Sequence, residues 1–317
     1  MLLSIIIPCY NSEGFIATTL NSLISQDLSE CEIIVVNDGS IDSTAQIVST
    51  YAEKYNEIRL IDKQNEGVSV ARNMGLKLAQ GKFICFLDSD DDFTTGTLDF
   101  YRKVLKNNYD YELFSFGYTA NRNGVIKKIY ACSRIDDNLT PISFVQNFFI
   151  KNIQLHIGSF ICSKTFLEVN KLFFTEGLVQ GEDIEFILNI LKYLPKSKYF
   201  YRQCFIYQLR DNSVTCNYSV YGREHLYFFE LWRNIVQSNE FQTTQLREYA
   251  NFWLQNLFIS HIFTYLRYGK KDQYITDCLC LNYNILKQPC IPLKNINYFF
   301  LCIAKILPIK FLLGLLK

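Results

Sequence analysis

Up to Leu87 the chain alternates short apolar runs with helical patterns, and no other feature narrows the fold as much. Leu2–Ile7, Glu32–Val36, Ile58–Ile61 and Phe83–Leu87 have strand length and composition. Between them Phe15–Ser25, Ser43–Glu53 and Ser69–Ala79 carry the helical period. Strand and helix in this order describe βαβ units, hence an α/β domain with a mostly parallel sheet covered on both faces. Ligands of such sheets sit beyond the carboxyl ends of the strands, so the residues after each run are the ones to inspect.

Those residues are polar. Pro8, Tyr10, Asn11 and Glu13 follow the first run, and Asn37, Asp38, Gly39 and Ser40 follow the second. The fourth empties into Asp88, Ser89, Asp90, Asp91 and Asp92. Adjacent carboxylates repel one another, and a hard divalent cation with oxygen ligands, Mg²⁺ or Mn²⁺ bridging to a diphosphate, is an economical counter-charge. A solvated acidic turn with Asp92 capping the next helix explains the same letters. Gly39 supplying a turn and Asp42 or Ser43 capping a helix from about Thr44 is the plain reading of the second cluster. That reading does not explain why the strands end in polar clusters on one edge.

Composition removes several classes. With 317 residues, 49% hydrophobic and 15% aromatic, the chain has ample material for an enzyme-sized core. Lys and Arg number 32 against 31 Asp and Glu, so no global field points to nucleic acid. The 11 cysteines form no CxxC pair or zinc spacing, which argues for reduced thiols rather than a disulfide frame or structural metal. The apolar start, Leu2–Ile7, is too short for a secretory signal and reads as a first strand. No P-loop or GxGxxG pattern occurs, which removes kinase and dinucleotide readings.

Three segments in order, SIIIPCYNSEGFIATTLNSLISQ at Ser4–Gln26, EIIVVNDGSIDST at Glu32–Thr44 and NEGVSVARNMGLKLAQGKFICFLDSDD at Asn65–Asp91, resemble those of the family 2 glycosyltransferases, which have the GT-A fold. The resemblance implies a metal-dependent, inverting transfer of a sugar from a nucleoside-diphosphate sugar, UDP-linked by preference, to a glycan or lipid-linked acceptor. Pro8, Tyr10 and Glu13 would then border the nucleotide, and Asp38 would accept a hydrogen bond from the base. Arg72 would contact the nucleotide, with a surface salt bridge as the alternative. In the Asp88-Ser89-Asp90 element, Asp88 would face the ribose and Asp90 would bind Mn²⁺ or Mg²⁺, with Asp91 adding a water-mediated contact.

Further along, Gly181-Glu182-Asp183-Ile184-Glu185-Phe186 resembles the family's ED motif at a helix start, where the helix dipole steadies a carboxylate. Asp183 is the candidate general base and Glu182 an acceptor-side or supporting contact. A plain helix start with Phe186, Ile187 and Ile190 facing the core explains the same residues. Tyr207–Thr215 is similar to a segment that often follows the catalytic domain, and Arg210 within it would approach the diphosphate unless it closes a polar turn. His156, before a Gly158-containing turn, is an acceptor-side candidate; His225 and His261 read as structural.

Beyond about residue 218, Tyr221–Gln237 and Gln245–Tyr268 are long aromatic-rich helical stretches. The expected domains are therefore 1–217, GT-A, and 218–317, helical. The apolar tail Ile296–Lys317 is interrupted by Lys305, Pro308 and Lys310, so it suits a membrane surface, a partner groove or its own core better than a crossing helix. Lys294, Lys305, Lys310 and Lys317 would suit anionic headgroups. The expected location is cytoplasmic, with a peripheral seat on the inner membrane as an extension of the resemblance. Two other classes compete. A sugar nucleotidyltransferase would carry a Gly-rich, basic loop where Pro8–Glu13 has neither Arg nor Lys. A non-catalytic sugar-nucleotide or partner-binding module would be expected to lack Asp90 or Asp183, and both are present.

Overall fold

The structure, a computed structural model, describes residues 1–132, 135, 139–178, 180–210, 221–270, 272–292 and 305. The expected surface-binding tail and the segment Asp211–Thr215 lie outside the described residues, apart from Lys305. The chain divides into two compact units, one of residues 1–144 and 152–209, the other of 145–151 and 210–317.

The first unit begins with β1 (Leu3–Cys9), α1 (Ile16–Ile24), β2 (Cys31–Asp38), α2 (Thr44–Lys54), β3 (Ile58–Lys63), α3 (Val68–Leu78) and β4 (Phe83–Phe86), the alternation expected from the periodicity. β1 and β2 are buried along their whole length because helices cover both faces. The four strands are parallel, in the order β3-β2-β1-β4. The chain order therefore reverses between β1 and β4, where an open α/β sheet leaves a crevice at its carboxyl edge.

Pro8 sits at that crevice. Ile6 accepts the last bond from the β4 side, from the Leu87 N–H. Pro8, two residues on, would direct a backbone N–H to the same side, where pairing has already ended. Its missing donor costs the ladder nothing. α3 lies close over β1 because Gly75 has no side chain; a Cβ there would stand 2.3 Å from Ile6 Cγ2.

The unit continues with β5 (Asp92–Phe93), α4 (Thr97–Asn107), β6 (Leu113–Arg122) and β7 (Val125–Tyr130). After α5 (Pro141–Phe149), whose first four residues belong to this unit, come β8 (Phe160–Ser163), α6 (Lys164–Val169), α7 (Glu182–Lys192) and β9 (Ser197–Gln208). β8 runs antiparallel between β4 and β6, β9 runs parallel to β6, and β5 and β7 are antiparallel margins. The sheet is parallel in the half the periodicity outlined and mixed in the other. Asp92 lies in β5 rather than capping a helix, since α4 starts five residues later behind Gly96.

In the second unit α8 (Arg223–Val236) and α9 (Arg247–Tyr268) occupy the two stretches read as helical, followed by α10 (Gln273–Leu281). Aromatic packing holds this unit: Phe149 meets Phe241 edge-on at 5.1 Å and Phe229 meets Phe258 at 5.5 Å. Buried Gln255 ties α9 to the turn after α10 by donating to the Ile285 and Gln288 carbonyls. His261 bonds the Tyr221 hydroxyl and His225 accepts the Gly222 N–H, structural roles for both. Among the described residues no helix is long and apolar enough to cross a membrane.

Candidate functional site

The carboxyl ends of β1, β2 and β4 deliver three loops to one edge of the first unit, and side-chain bonds lock them together. Ser12 and Ser89 share a hydroxyl bond of 2.8 Å, and the Thr19 hydroxyl of α1 donates to the Ser89 carbonyl at 2.9 Å. Glu13 accepts the Ser43 N–H while Asp42 accepts those of Glu13 and Thr44, so both acids sit at the start of α2, where the helix dipole favours them. Ser43 itself makes no side-chain cap. Tyr10 remains half exposed and Pro8 is buried.

Asp38, at the end of β2, is 3% exposed and holds the loop after β3. One oxygen accepts from the Lys63 ammonium at 2.6 Å and the Glu66 N–H at 3.0 Å; the other accepts the Gly67 N–H at 2.8 Å. Burial works to raise its proton affinity, but the Lys63 bond and the two N–H groups hold the carboxyl below its usual range.

Arg72 is not at the surface. It is 3% exposed on α3, and its guanidinium spans Asp88 at 2.8 Å and Glu182 at 2.9 Å while lying over the Phe174 ring, 5.2 Å from its centroid. Burial would depress an isolated guanidinium, but the carboxylates of Asp88 and Glu182 raise its proton affinity overall. One cation thus joins the turn after β4 to the start of α7, whose Glu182 lies 110 residues beyond Arg72 itself. Its neighbour Asn73 completes the clamp: its amide donates to the Phe174 carbonyl and its oxygen accepts the Phe174 N–H, both at 2.9 Å. Phe174 in turn stacks on Phe186 of α7 at 3.9 Å.

Asp183, second residue of α7, takes the Ile184 N–H on one oxygen at 2.7 Å. Burial first, and then the charge of Asp88, raises its proton affinity against the opposing pull of Arg72 and that N–H. Glu182 is raised as well, by burial and by Asp183, although Arg72 opposes it. Phe186, Ile187 and Ile190 pack into the core, as a plain helix start would have them, while Glu182 reaches the acidic turn through Arg72.

In that turn Asp91 is 1% exposed. One oxygen accepts the Gln208 N–H at 2.8 Å; the other is buried without a hydrogen bond. Burial and the charges of Asp88, Asp90 and Asp92 push its proton affinity well up. Such unmatched negative charge is what a divalent cation relieves, and the partly exposed Asp88 and Asp90 offer oxygen ligands of the right hardness. Among the described residues no three His, Cys, Asp or Glu are grouped to hold a metal alone, so a cation here would need oxygens from a ligand.

His156 caps the short turn Ile157–Ser159 by accepting the Gly158 N–H on Nδ1. Burial lowers its pKa to about 4, Asp88 opposing and Arg72 adding to the effect. Arg210 opens the second unit, and residues 211–220 that follow it lie outside the described residues. Asn73, Lys63 and Gln208 were not among the sequence candidates. Asn73 stands within the quoted third segment, where it could have been found, but Gln208 is recognisable only through its partners.

The family model for glycosyl transferase family 2 matches residues 4–171. The chain belongs to this family. Among curated relatives of this family 2 chain, the uncharacterized glycosyltransferase EpsJ of Bacillus subtilis is 29% identical over 68% of the chain and 63% of its own length. The poly(ribitol-phosphate) beta-N-acetylglucosaminyltransferase TarS of Staphylococcus aureus is 30% identical over 63% of the chain and 35% of its own length. The uncharacterized glycosyltransferase YibD of Escherichia coli is 47% identical over 28% of the chain. The chain spans between 26% and 63% of the length of EpsJ and YibD.

A crystal structure of S. aureus TarS 1-349 in complex with UDP-GlcNAc superposes with a TM-score of 0.69 at 22% identity, covering 90% of this chain and 81% of that one. A Pyrobaculum calidifontis mannosyltransferase in complex with GDP-Man and Mn²⁺ gives 0.56 at 15% identity, over 96% and 83%. The α/β fold of this family 2 chain is thus GT-A, with a helical C-terminal part.

Proposed function

We propose that this chain is an inverting glycosyltransferase that takes a sugar from a nucleoside-diphosphate donor, UDP-linked by preference, and passes it to an acceptor hydroxyl in cell-surface glycan synthesis. The observation that carries the reading is the Arg72 bridge. It brings the acidic turn Asp88–Asp92 and the carboxylates of Glu182 and Asp183 to one edge of the sheet, the two parts a direct displacement needs side by side. The TarS structure with UDP-GlcNAc supports a nucleotide-sugar donor, and the mannosyltransferase with Mn²⁺ supports a divalent cation.

In this reading Pro8, Tyr10 and Glu13 border the nucleotide, Asp38 meets the base and Asp88 with Ser89 meets the ribose. Asp90 would hold Mn²⁺ or Mg²⁺; bound there, the cation supplies counter-charge to the departing diphosphate. Asp183 accepts the proton of the acceptor hydroxyl as that oxygen attacks the anomeric carbon, inverting its configuration. Its raised proton affinity suits that work. Arg72, fixed by its pairs with Asp88 and Glu182, supplies the positive charge beside Asp183. We assign residues 1–217 to the catalytic domain and 218–317 to a helical region. Arg210 is placed on the diphosphate side, and the location is assigned as cytoplasmic, with a peripheral membrane seat and a glycan or lipid-linked acceptor.

Thermal unfolding with UDP-, GDP- and dTDP-sugars, each with Mn²⁺ and with EDTA, tests the donor half. A ligand at a hundred times its Kd stabilises by about 2.7 kcal/mol. Stabilisation by a UDP-sugar with Mn²⁺, lost with EDTA and in Asp90→Ala, is expected. No stabilisation by any donor would overturn the assignment.

A further inference from the structure

An aromatic wall stands near these carboxylates and takes no part in the donor site or the proton transfer. Phe205 and Tyr207, two apart on β9, share a face, and the register sets Phe205 beside Tyr118 of β6, which pairs with Tyr130 of β7. Tyr118 and Tyr130 stack at 4.5 Å and 14°. The His156 ring lies against Phe205 at 5.0 Å, Tyr207 at 4.8 Å and Tyr118 at 5.7 Å. Phe205 and Tyr118 are buried, whereas Tyr130, His156 and Tyr207 keep part of their surface open.

The wall is fixed to the site. β5 pairs Asp92 with Ile206, and Gln208 donates its N–H to Asp91 and its amide to Asp92, so Tyr207 sits between two residues anchored to the acidic turn. Asp183 is near enough for its charge to act on the Tyr118 hydroxyl, and Asp88 near enough to act on His156.

We propose that this wall is the acceptor subsite and that it takes a pyranose ring; the proposal rests on the glycosyl transfer proposed above and specifies its acceptor. A pyranose presents a C–H face to an aromatic surface and a rim of hydroxyls to polar groups at its border. Here the aromatic surface is Tyr207 with His156, and the border carries carboxylates that accept hydroxyl protons. Because Nδ1 of His156 accepts from Gly158, the proton of its neutral ring lies on Nε2, which supplies a donor. A phosphate-bearing polyol would be drawn instead to a cation. Lys128 offers one over the Tyr130 ring at 4.4 Å, on the strand across β6 from Tyr207.

Saturation-transfer NMR on the full chain, with methyl pyranosides of glucose, galactose and N-acetylglucosamine beside ribitol 5-phosphate and glycerol 3-phosphate, tests the proposal. Transfer to the ring C–H protons of at least one pyranoside is expected, weakened roughly fivefold or more by Tyr207→Ala, retained in Tyr207→Phe and untouched by Lys128→Ala. The proposal is overturned if no pyranoside receives saturation, if Tyr207→Ala changes nothing, or if only the polyol phosphates bind and Lys128→Ala releases them. Stabilisation by UDP with Mn²⁺, read on the same samples, keeps the two readings apart. A nucleotide response without pyranoside contact removes the wall alone, and pyranoside contact without a nucleotide response removes the donor assignment.

Discussion

Replacing Arg72 by alanine strands two carboxylates, and the size of the loss follows from their burial. The guanidinium side chain is 4% exposed, that of Glu182 13% and that of Asp88 29%. Removing one partner of a buried ion pair costs about 3–5 kcal/mol; the water reaching Asp88 argues for the lower end, about 3 kcal/mol. For a unit of this size that lowers the melting temperature by about 6–12 °C. Lysine should recover only part, since a point charge on a flexible stem cannot span both acids as the planar fork does. The loss has a pH signature. Burial already makes Glu182 harder to ionise than usual, and without Arg72 the opposing pull is gone. Its penalty is then full above the raised folded value and shrinks as pH falls through it. Melting of wild type and Arg72→Ala in EDTA at pH 7 and pH 5 should show the larger gap at pH 7. A gap under about 1 kcal/mol, equal at both pH values, would refute the bridge as the element joining the acidic turn to α7.

Three further outcomes are expected. Gly75→Ala places a methyl 2.3 Å from Ile6 Cγ2 and should cost about 1–3 kcal/mol, part of it recovered by adding Ile6→Val, as denaturant melts would show. Asn73→Ala leaves the Phe174 N–H and carbonyl without their side-chain partner; about 2 kcal/mol of stability and the exchange protection of the Phe174 amide should go, and unchanged protection would contradict the clamp. His156, lowered from 6.5 to about 4 by burial, should show no imidazole titration above pH 5 by NMR. Since its folded value lies below the unfolded one, it costs stability progressively as pH falls from 6.5 toward about 4, so His156→Gln should flatten that part of the acid limb; a titration near 6.5 would contradict the burial.

The parallel half of the sheet was readable because β1 to β4 are short apolar runs set apart by segments with the helical period. The mixed half was not. β6 is buried for eight consecutive residues and β7 is exposed along nearly all of its length, so neither shows the alternation of a half-buried strand. Their partners β8 and β9 lie far along the chain, and pairing at that distance leaves no local signal. The site divides in the same way. Asp88, Asp90 and Asp183 stood out as acids at a strand end and a helix start. That Arg72 lies buried between two of these segments follows from packing; the sequence offered a nucleotide contact, with a surface salt bridge as the alternative. The aromatic wall assembles from β6, β7, β9 and the turn after His156, none of which marks Tyr207 or Tyr118 by spacing.

We propose Asp183 as the base that takes the acceptor proton. The most direct test is sugar transfer by wild type and Asp183→Asn under saturating UDP-sugar and acceptor, with donor affinity measured on both. Asparagine keeps the shape and the bond to Ile184 but cannot take a proton at neutral pH. A fall in kcat of roughly a hundredfold to ten-thousandfold with donor affinity unchanged is predicted; near-native turnover in Asp183→Asn would contradict the account.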